Sequence, residues 1–345
     1  MARTADRAAG GASRAATFDL VVLLALVALF VASLCLGSVE TTPAEVVRIL
    51  AAGAGDASTS AQVIWQIRLP RAIEALLLGG ALSLSGFLLQ TFFANPIADP
   101  FVLGVSSGAK LVVAVVMIVV LGAGQVMSPA ASVAAAFAGS LATMGFVLVI
   151  SRRVRTQGML IVAGIMVGYI CSAITNFLVA FADDQSIVSL DNWSRGSFSG
   201  ATWSDVAMIA VAVGAMGAAV FALSKPLGAY QLGEPYAQSV GVSVLRLRML
   251  IVLVSSLLSA CVAAFAGPVS FVGIAAPHLA RRGVGSSRPL YVTPACLLVG
   301  AAFCCGCDLV ARTLFSPVEL SVSAVTAVFG APVVIALMLR GRSAR

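Results

Sequence analysis

Asn95-Pro-Ile-Ala-Asp-Pro100, followed directly by Phe101-Val-Leu-Gly-Val-Ser-Ser-Gly-Ala109, sets two prolines, an Asn and an Asp between stretches that otherwise read as membrane-spanning helix. Lipid offers no partner for free N–H and C=O groups. Broken backbone therefore survives only at a membrane surface, inside protein, or beside a water-filled passage. A break this short and polar, with Gly and Ser on its exit side, suits a moving part of a transport path. An ordinary interhelical turn is the plainer alternative.

The rest of the chain supplies the spans that this break interrupts. Of its 345 residues 60% are hydrophobic and 10% charged, and the mean hydropathy is +1.05, outside the range of a soluble globular domain. Ten apolar segments of spanning or near-spanning length fall at about 18–37, 71–92, 102–122, 128–151, 158–182, 203–224, 247–266, 269–283, 290–312 and 324–340. The third and eighth are short or interrupted by Gly and Pro. The expectation is an all-α polytopic membrane protein: one transmembrane domain over 18–340 between short tails at 1–17 and 341–345. Gly164, Gly168 and Ser172 recur at four-residue spacing with Asn176 one turn on, a pattern for close helix packing or for a polar path.

Charge fixes the orientation and excludes several chemistries. With an even number of spans both ends share a side. Assigning that side as cytoplasmic collects most of the 21 Lys and Arg, among them Arg14, Arg152, Arg153, Arg155, Arg246, Arg248, Arg281, Arg282 and Arg288. Because the net charge of +7 is spread over many short loops, it is no nucleic-acid footprint. Arg68, Arg71 and Arg312 fall on the opposite face, where cations need another reason to be present. Headgroup anchoring is one such reason, and charge-assisted bonds to an external partner's carboxylates are another. Neither lysine, Lys110 nor Lys225, is followed by Ser or Thr, so no phosphate-binding G-x-x-x-x-G-K-[ST] loop occurs. The seven cysteines all lie in apolar segments, and Cys304-Cys-Gly-Cys307 reads as small hydrophobes rather than a metal site. His278, the sole histidine, reads as structural near a helix end. Asp308 and Arg312 read as an i, i+4 pair, and Asp183, Asp184 and Asp191 as loop charges.

Taken together, Leu69-Pro-Arg71, Gly79-Gly-Ala-Leu-Ser-Leu-Ser-Gly86 with Gln90, the Asn95–Pro100 break and Gly104-Val-Ser-Ser-Gly108 are followed downstream by Leu232-Gly-Glu-Pro-Tyr-Ala-Gln-Ser-Val-Gly-Val242, Gly267-Pro-Val-Ser-Phe-Val-Gly-Ile-Ala-Ala-Pro-His278 and Gly330-Ala-Pro332. This ordered set resembles the FecCD family of ABC importer permeases, over about residues 18–340. The resemblance implies a type II importer architecture in a bacterial inner membrane, both termini cytoplasmic. It implies a permease subunit and no enzyme, moving an iron chelate inward by alternating access at a dimer interface: a ferric siderophore first, haem or cobalamin next. The implied partners are a second permease copy, two cytoplasmic ATPases that use ATP and Mg, and a periplasmic binding protein; this subunit itself is expected to hold no cofactor or metal.

By position, Arg68, Arg71 and Arg312 match arginines that dock glutamates of the binding protein. Asn95, Pro96 and Ile97 match a cytoplasmic gate, and Thr156 and Gln157 a second constriction. Residues 232–244, with Leu232, Gly233, Glu234, Ala237, Val240 and Gly241, match paired short helices that couple to the ATPase. Their mixture of apolar and polar residues independently suits a surface element with one apolar face. Glu319-Leu-Ser321-Val-Ser323 departs from the family's Glu-Leu-Pro-x-Gly, which predicts a less sharply bent entry to the last helix. An ion-gradient-driven secondary transporter is the competing class; it needs an intramembrane carboxylate, for which Glu74, Asp99 and Asp308 are the candidates.

Overall fold

The computed structural model describes residues 2–37, 41–53, 55, 58–120, 127–151, 153 and 157–341, with backbone alone at a few of them, including 2–10 and 337–341. The described residues form fifteen α-helices, with two short π segments and one 3-10 turn beside them. The first helix, α1 (Ala2–Cys35), already includes most of the stretch expected to be a tail. Two short helices, α2 (Pro43–Ala52) and α3 (Thr59–Val63), lead through a π turn at Ile64–Arg68 into α4 (Leu69–Phe92). After the break come α5 (Val105–Ala114), extended by a π turn to Val120, then α6 (Pro129–Ser151) and α7 (Gln157–Val179). The chain continues through α8 (Asp184–Ser194), α9 (Trp203–Ala222), α10 (Ser224–Gln231) and α11 (Glu234–Ser239). It ends with α12 (Val244–Phe265), α13 (Val272–Val284), α14 (Pro289–Thr313) and α15 (Val322–Gly341).

Among the described residues nine apolar helices stand where nine of the ten apolar segments were expected. Seven are long and apolar enough to cross a membrane, and Val105–Val120 and Val322–Ala336 are shorter. The eighth segment differs most. Its helix α13 has 13 residues, about 20 Å at 1.5 Å per residue, short of a hydrocarbon core of about 30 Å. The preceding Gly267–Phe271 is irregular, with left-handed φ at Gly267 (72°) and Phe271 (68°). Non-helical backbone at this depth persists because protein encloses it: Val269 is fully buried, and the Ser323 hydroxyl donates to the Pro268 carbonyl.

At the centre stands α4, buried along almost its whole length and flanked by α14, α12, α13 and α9. Its small residues explain this. A methyl at Gly79 would strike Gly300 of α14, and one at Gly86 would strike Gly273 of α13. Without a hydrophobic force between helices in lipid, such close approach supplies the dispersion that holds them. Polar ties add to it: the Ser85 hydroxyl lies 2.6 Å from the Ser255 carbonyl and 2.8 Å from the Ser259 hydroxyl, joining α4 to α12. Gln90 Nε2 donates to the Gly273 carbonyl at 3.0 Å. Ser321 accepts from Ala324 N–H and so caps α15. A hydroxyl therefore starts that helix where the family pattern has proline and glycine. The charges at 183–191 form a helix rather than a loop, because Asp183 accepts from Ser186 N–H and caps α8.

Candidate functional site

Two polar clusters lie at opposite ends of α4. At its start the fold gathers Arg68, Arg71 and Arg312 from distant parts of the chain. Arg68 Nη1 donates to the Leu34 and Cys35 carbonyls at 2.7 and 3.2 Å and to the Thr41 hydroxyl at 3.2 Å. Arg312 donates to the Leu36 carbonyl at 2.9 Å and to Ser33. Both guanidiniums thus satisfy the last carbonyls of α1, which a helix end leaves open and partly negative. Arg71 lies across two carboxylates: its Nε and Nη2 reach Asp308 at 3.0 and 2.9 Å, and its Nη1 reaches Glu319 at 3.0 Å. The expected Asp308–Arg312 pair is present but longer, at 3.7 Å; Asp308 makes its tight contact to Arg71 instead. With the Arg71 and Arg312 side chains each 8% exposed, little of either cation reaches the surface.

The cluster at the far end of α4 is looser. Ala94 takes a left-handed φ of 46° and Asn95 N–H returns to the Gln90 carbonyl at 3.2 Å, closing the helix. Asn95 Oδ1 accepts from Ile97 N–H at 3.1 Å, and Asp99 Oδ1 from Phe101 N–H at 2.9 Å. Both polar residues of the break therefore satisfy backbone that lipid could not. Asn95 is half-buried while Pro96 and Ile97 are exposed. Asp99 is buried, and burial pushes its carboxyl up to about 6.

The short paired helices expected within 232–244 are present but displaced. They are α10 and α11, covering 224–239, with a turn at Val240–Ser243 before α12. Leu232, Tyr236 and Val240 project with 70, 48 and 53% exposure, whereas Ala237 is fully buried and seats the element. Glu234 pairs with Arg248 and accepts from the Tyr230 hydroxyl at 3.2 Å. That hydroxyl also lies 3.5 Å from the Phe92 carbonyl, and Gln231 Nε2 lies 3.5 Å from the Thr91 hydroxyl. Between the elements lies a cavity of about 440 Å³, lined by Gln90, Thr91, Asn95 and Pro96 on one side and Tyr230, Gly233, Glu234 and Arg281 on the other. Sequence spacing gives no sign of this meeting, since some 135 residues separate the two walls.

Gly164 and Gly168 of α7 pack on Leu103 and Gly104 at the start of α5, with Gly104 at φ 79°. Ser172 and Asn176 do not join them; both are exposed, on a helix that also exposes Tyr169 and Phe177. Thr156 lies outside the described residues, as does the side chain of Gln157 at the start of α7. Of the three candidate carboxylates, Asp308 is ion-paired, Asp99 caps a turn, and Glu74 is buried on α4 one turn beyond Arg71. Among the described residues no group of three or more His, Cys, Asp or Glu is placed to hold a metal ion.

Comparison with known proteins covers nearly the whole chain. The model of the FecCD transport family matches residues 24–340. The vitamin B12 import system permease protein BtuC of Klebsiella pneumoniae is 36% identical over 331 residues, 96% of this chain and 95% of the relative. The protein of the same name from Citrobacter koseri is 36% identical over 81% of this chain and 83% of its own length. A solved structure described as an inward-facing conformation of a metal-chelate type ABC transporter superposes with a TM-score of 0.82 at 29% identity, covering 94% of this chain and 99% of that one. PsaBC from Streptococcus pneumoniae in complex with Fab gives a TM-score of 0.50 at 12% identity, covering 85% and 94%, and there the likeness concerns the fold alone.

Proposed function

The chain belongs to the FecCD transport family, and from that membership we propose that it is the membrane subunit of an ATP-driven importer bringing a metal chelate into the cytoplasm. The cargo class is a ferric siderophore, haem or a corrinoid such as vitamin B12, the cargo named for its relatives. The single observation that carries this reading is the cavity in which the Asn95–Pro96 break faces the α10–α11 pair. An ATPase seated on the exposed Leu232, Tyr236 and Val240 would shift Gly233 and Glu234, which share that cavity with the break. Displacement there would reach Phe92 and Thr91 through Tyr230 and Gln231 and alter the end of α4. In this reading Asn95, Pro96 and Ile97 act as the gate, with Thr156 and Gln157 as a second constriction.

The end rich in Arg14, Lys225, Arg246 and Arg282 is cytoplasmic, by the rule that cations stay inside. A second copy of the chain pairs through the open face of α7, where Ser172 and Asn176 border the path. A periplasmic binding protein docks at the end that holds Arg68, Arg71 and Arg312. Two ATPase subunits supply ATP and Mg chemistry, and this chain contributes motion alone.

Reconstitution in liposomes with companion ATPase and binding protein tests this. ATP-dependent entry of a ferric siderophore, haem or cyanocobalamin is expected, and the cargo that enters identifies the class. Uptake that persists without the ATPase and follows a pH gradient would overturn the reading in favour of a secondary carrier.

A further inference from the structure

Every nitrogen of Arg71 already faces a carboxylate of this chain. Two of its nitrogens are engaged by Asp308, and the third, Nη1, by Glu319 at 3.0 Å. The two carboxylates differ in kind. Asp308 is 1% exposed and belongs to a helix, whereas Glu319 is 46% exposed and sits in the link between α14 and α15. That link also exposes Leu314 at 62%, Phe315 at 59% and Val318 at 64%. Its far side is anchored, with Leu320 N–H bonded to the Ala311 carbonyl at 2.9 Å. The arrangement is a buried cation whose Nη1 is paired with an acid on an exposed apolar loop.

We propose that Glu319 is a stand-in for a partner carboxylate: the link 314–320 receives an acidic side chain with apolar neighbours from the binding protein, which takes the Arg71 Nη1 position as Glu319 leaves. The inference rests on the importer reading above. Charge complementarity commits the occupant to an acid, because the position already holds one, and the apolar rim commits that acid to apolar company. Exchange of one carboxylate for another keeps Arg71 paired throughout, so docking avoids the cost of a buried, uncompensated guanidinium. It also frees the link to move, and with it the entry to α15 at Ser321.

The test uses the full chain in lipid nanodiscs and the binding protein that supports uptake in the liposome assay. Glu319→Gln removes the competing charge, and affinity for that protein should rise about fivefold. Glu319→Asp, one methylene shorter, should fall between the two, a graded result that misfolding of the link would not give. Unchanged or weaker binding by Glu319→Gln overturns the proposal. So does an effect confined to nanodiscs containing phosphatidylglycerol, which would make a lipid phosphate the occupant. If no binding protein supports uptake at all, it is the importer reading that fails. Normal uptake with an indifferent Glu319 rejects the stand-in alone.

Discussion

The two ends of α4 handle polarity in opposite ways. At its start, cations are buried and saturated: Arg71 by two carboxylates, and Arg68 and Arg312 by the closing carbonyls of α1. At its finish, polar groups meet across a cavity of about 440 Å³ at contacts as long as 3.5 Å. Short charge-assisted bonds around nearly buried guanidiniums keep every cation paired. Long contacts around a void tolerate several arrangements. The difference teaches that rigidity and room are assigned to separate ends of one central helix, with the room at the end proposed to move.

The largest effect should come from breaking the saturated end. Arg71→Ala leaves Asp308, 1% exposed, with only the longer 3.7 Å contact to Arg312, and removing one partner of a buried pair costs about 3–5 kcal/mol. The thermal midpoint in detergent should collapse. Arg71→Lys should recover only part of it, because an ammonium cannot bridge both carboxylates as the fork does. An unaltered midpoint for Arg71→Ala would erase the contrast between the ends. Next in size is Gly86→Val, which forces α4 and α13 apart where Gly86 meets Gly273. Overpacking of this kind costs about 1–3 kcal/mol, readable in the same melt.

The pH response sharpens the comparison. Burial lifts the Asp99 carboxyl from 3.8 to about 6, so its neutral form suits the fold. Its stabilising contribution is complete below about pH 4 and is lost as pH rises through 6. Asp99→Asn keeps an acceptor for Phe101 N–H and should be more stable than the parent at pH 8, by about 3 kcal/mol. The two should converge near pH 4, and parallel pH curves would refute the assignment. The smallest change in stability belongs to Leu232→Asp with Val240→Asp. Both sites are exposed, so the melt should shift by about 0.5 kcal/mol or less. Co-purification with the ATPase should nevertheless be lost; retained co-purification would move the docking surface elsewhere.

From sequence alone the membrane class, nine of the apolar helices and the break after Phe92 were legible, because hydropathy and backbone satisfaction are local properties read along the chain. Helix starts at Asp183 and Ser321 carried the capping signal too, in residues that look like loop charge and like a departure from a family pattern. The sequence places the paired helices within 232–244 and the structure places them at 224–239, with α11 inside the expected range; Ser224-Lys-Pro-Leu reads by composition as the end of a span rather than a new helix. The partial depth of α13 was legible in part, since the eighth segment is short and Gly267-Pro268 falls between spans; that Val269–Phe271 stays irregular is decided by enclosure in neighbouring protein.

What the sequence by itself determined is which segments enter lipid, which end carries the cations, and where helix cannot continue. What only the tertiary structure decided is which groups meet most closely: Arg71 with Asp308 and Glu319, tighter than the Arg312–Asp308 pair at 3.7 Å, and the Asn95 break with Glu234 across a shared cavity. Hydropathy is summed over neighbours in the chain. A buried ion pair depends on directions and on distances of a few ångströms between residues more than two hundred positions apart, and only the packing of small residues along α4 sets those.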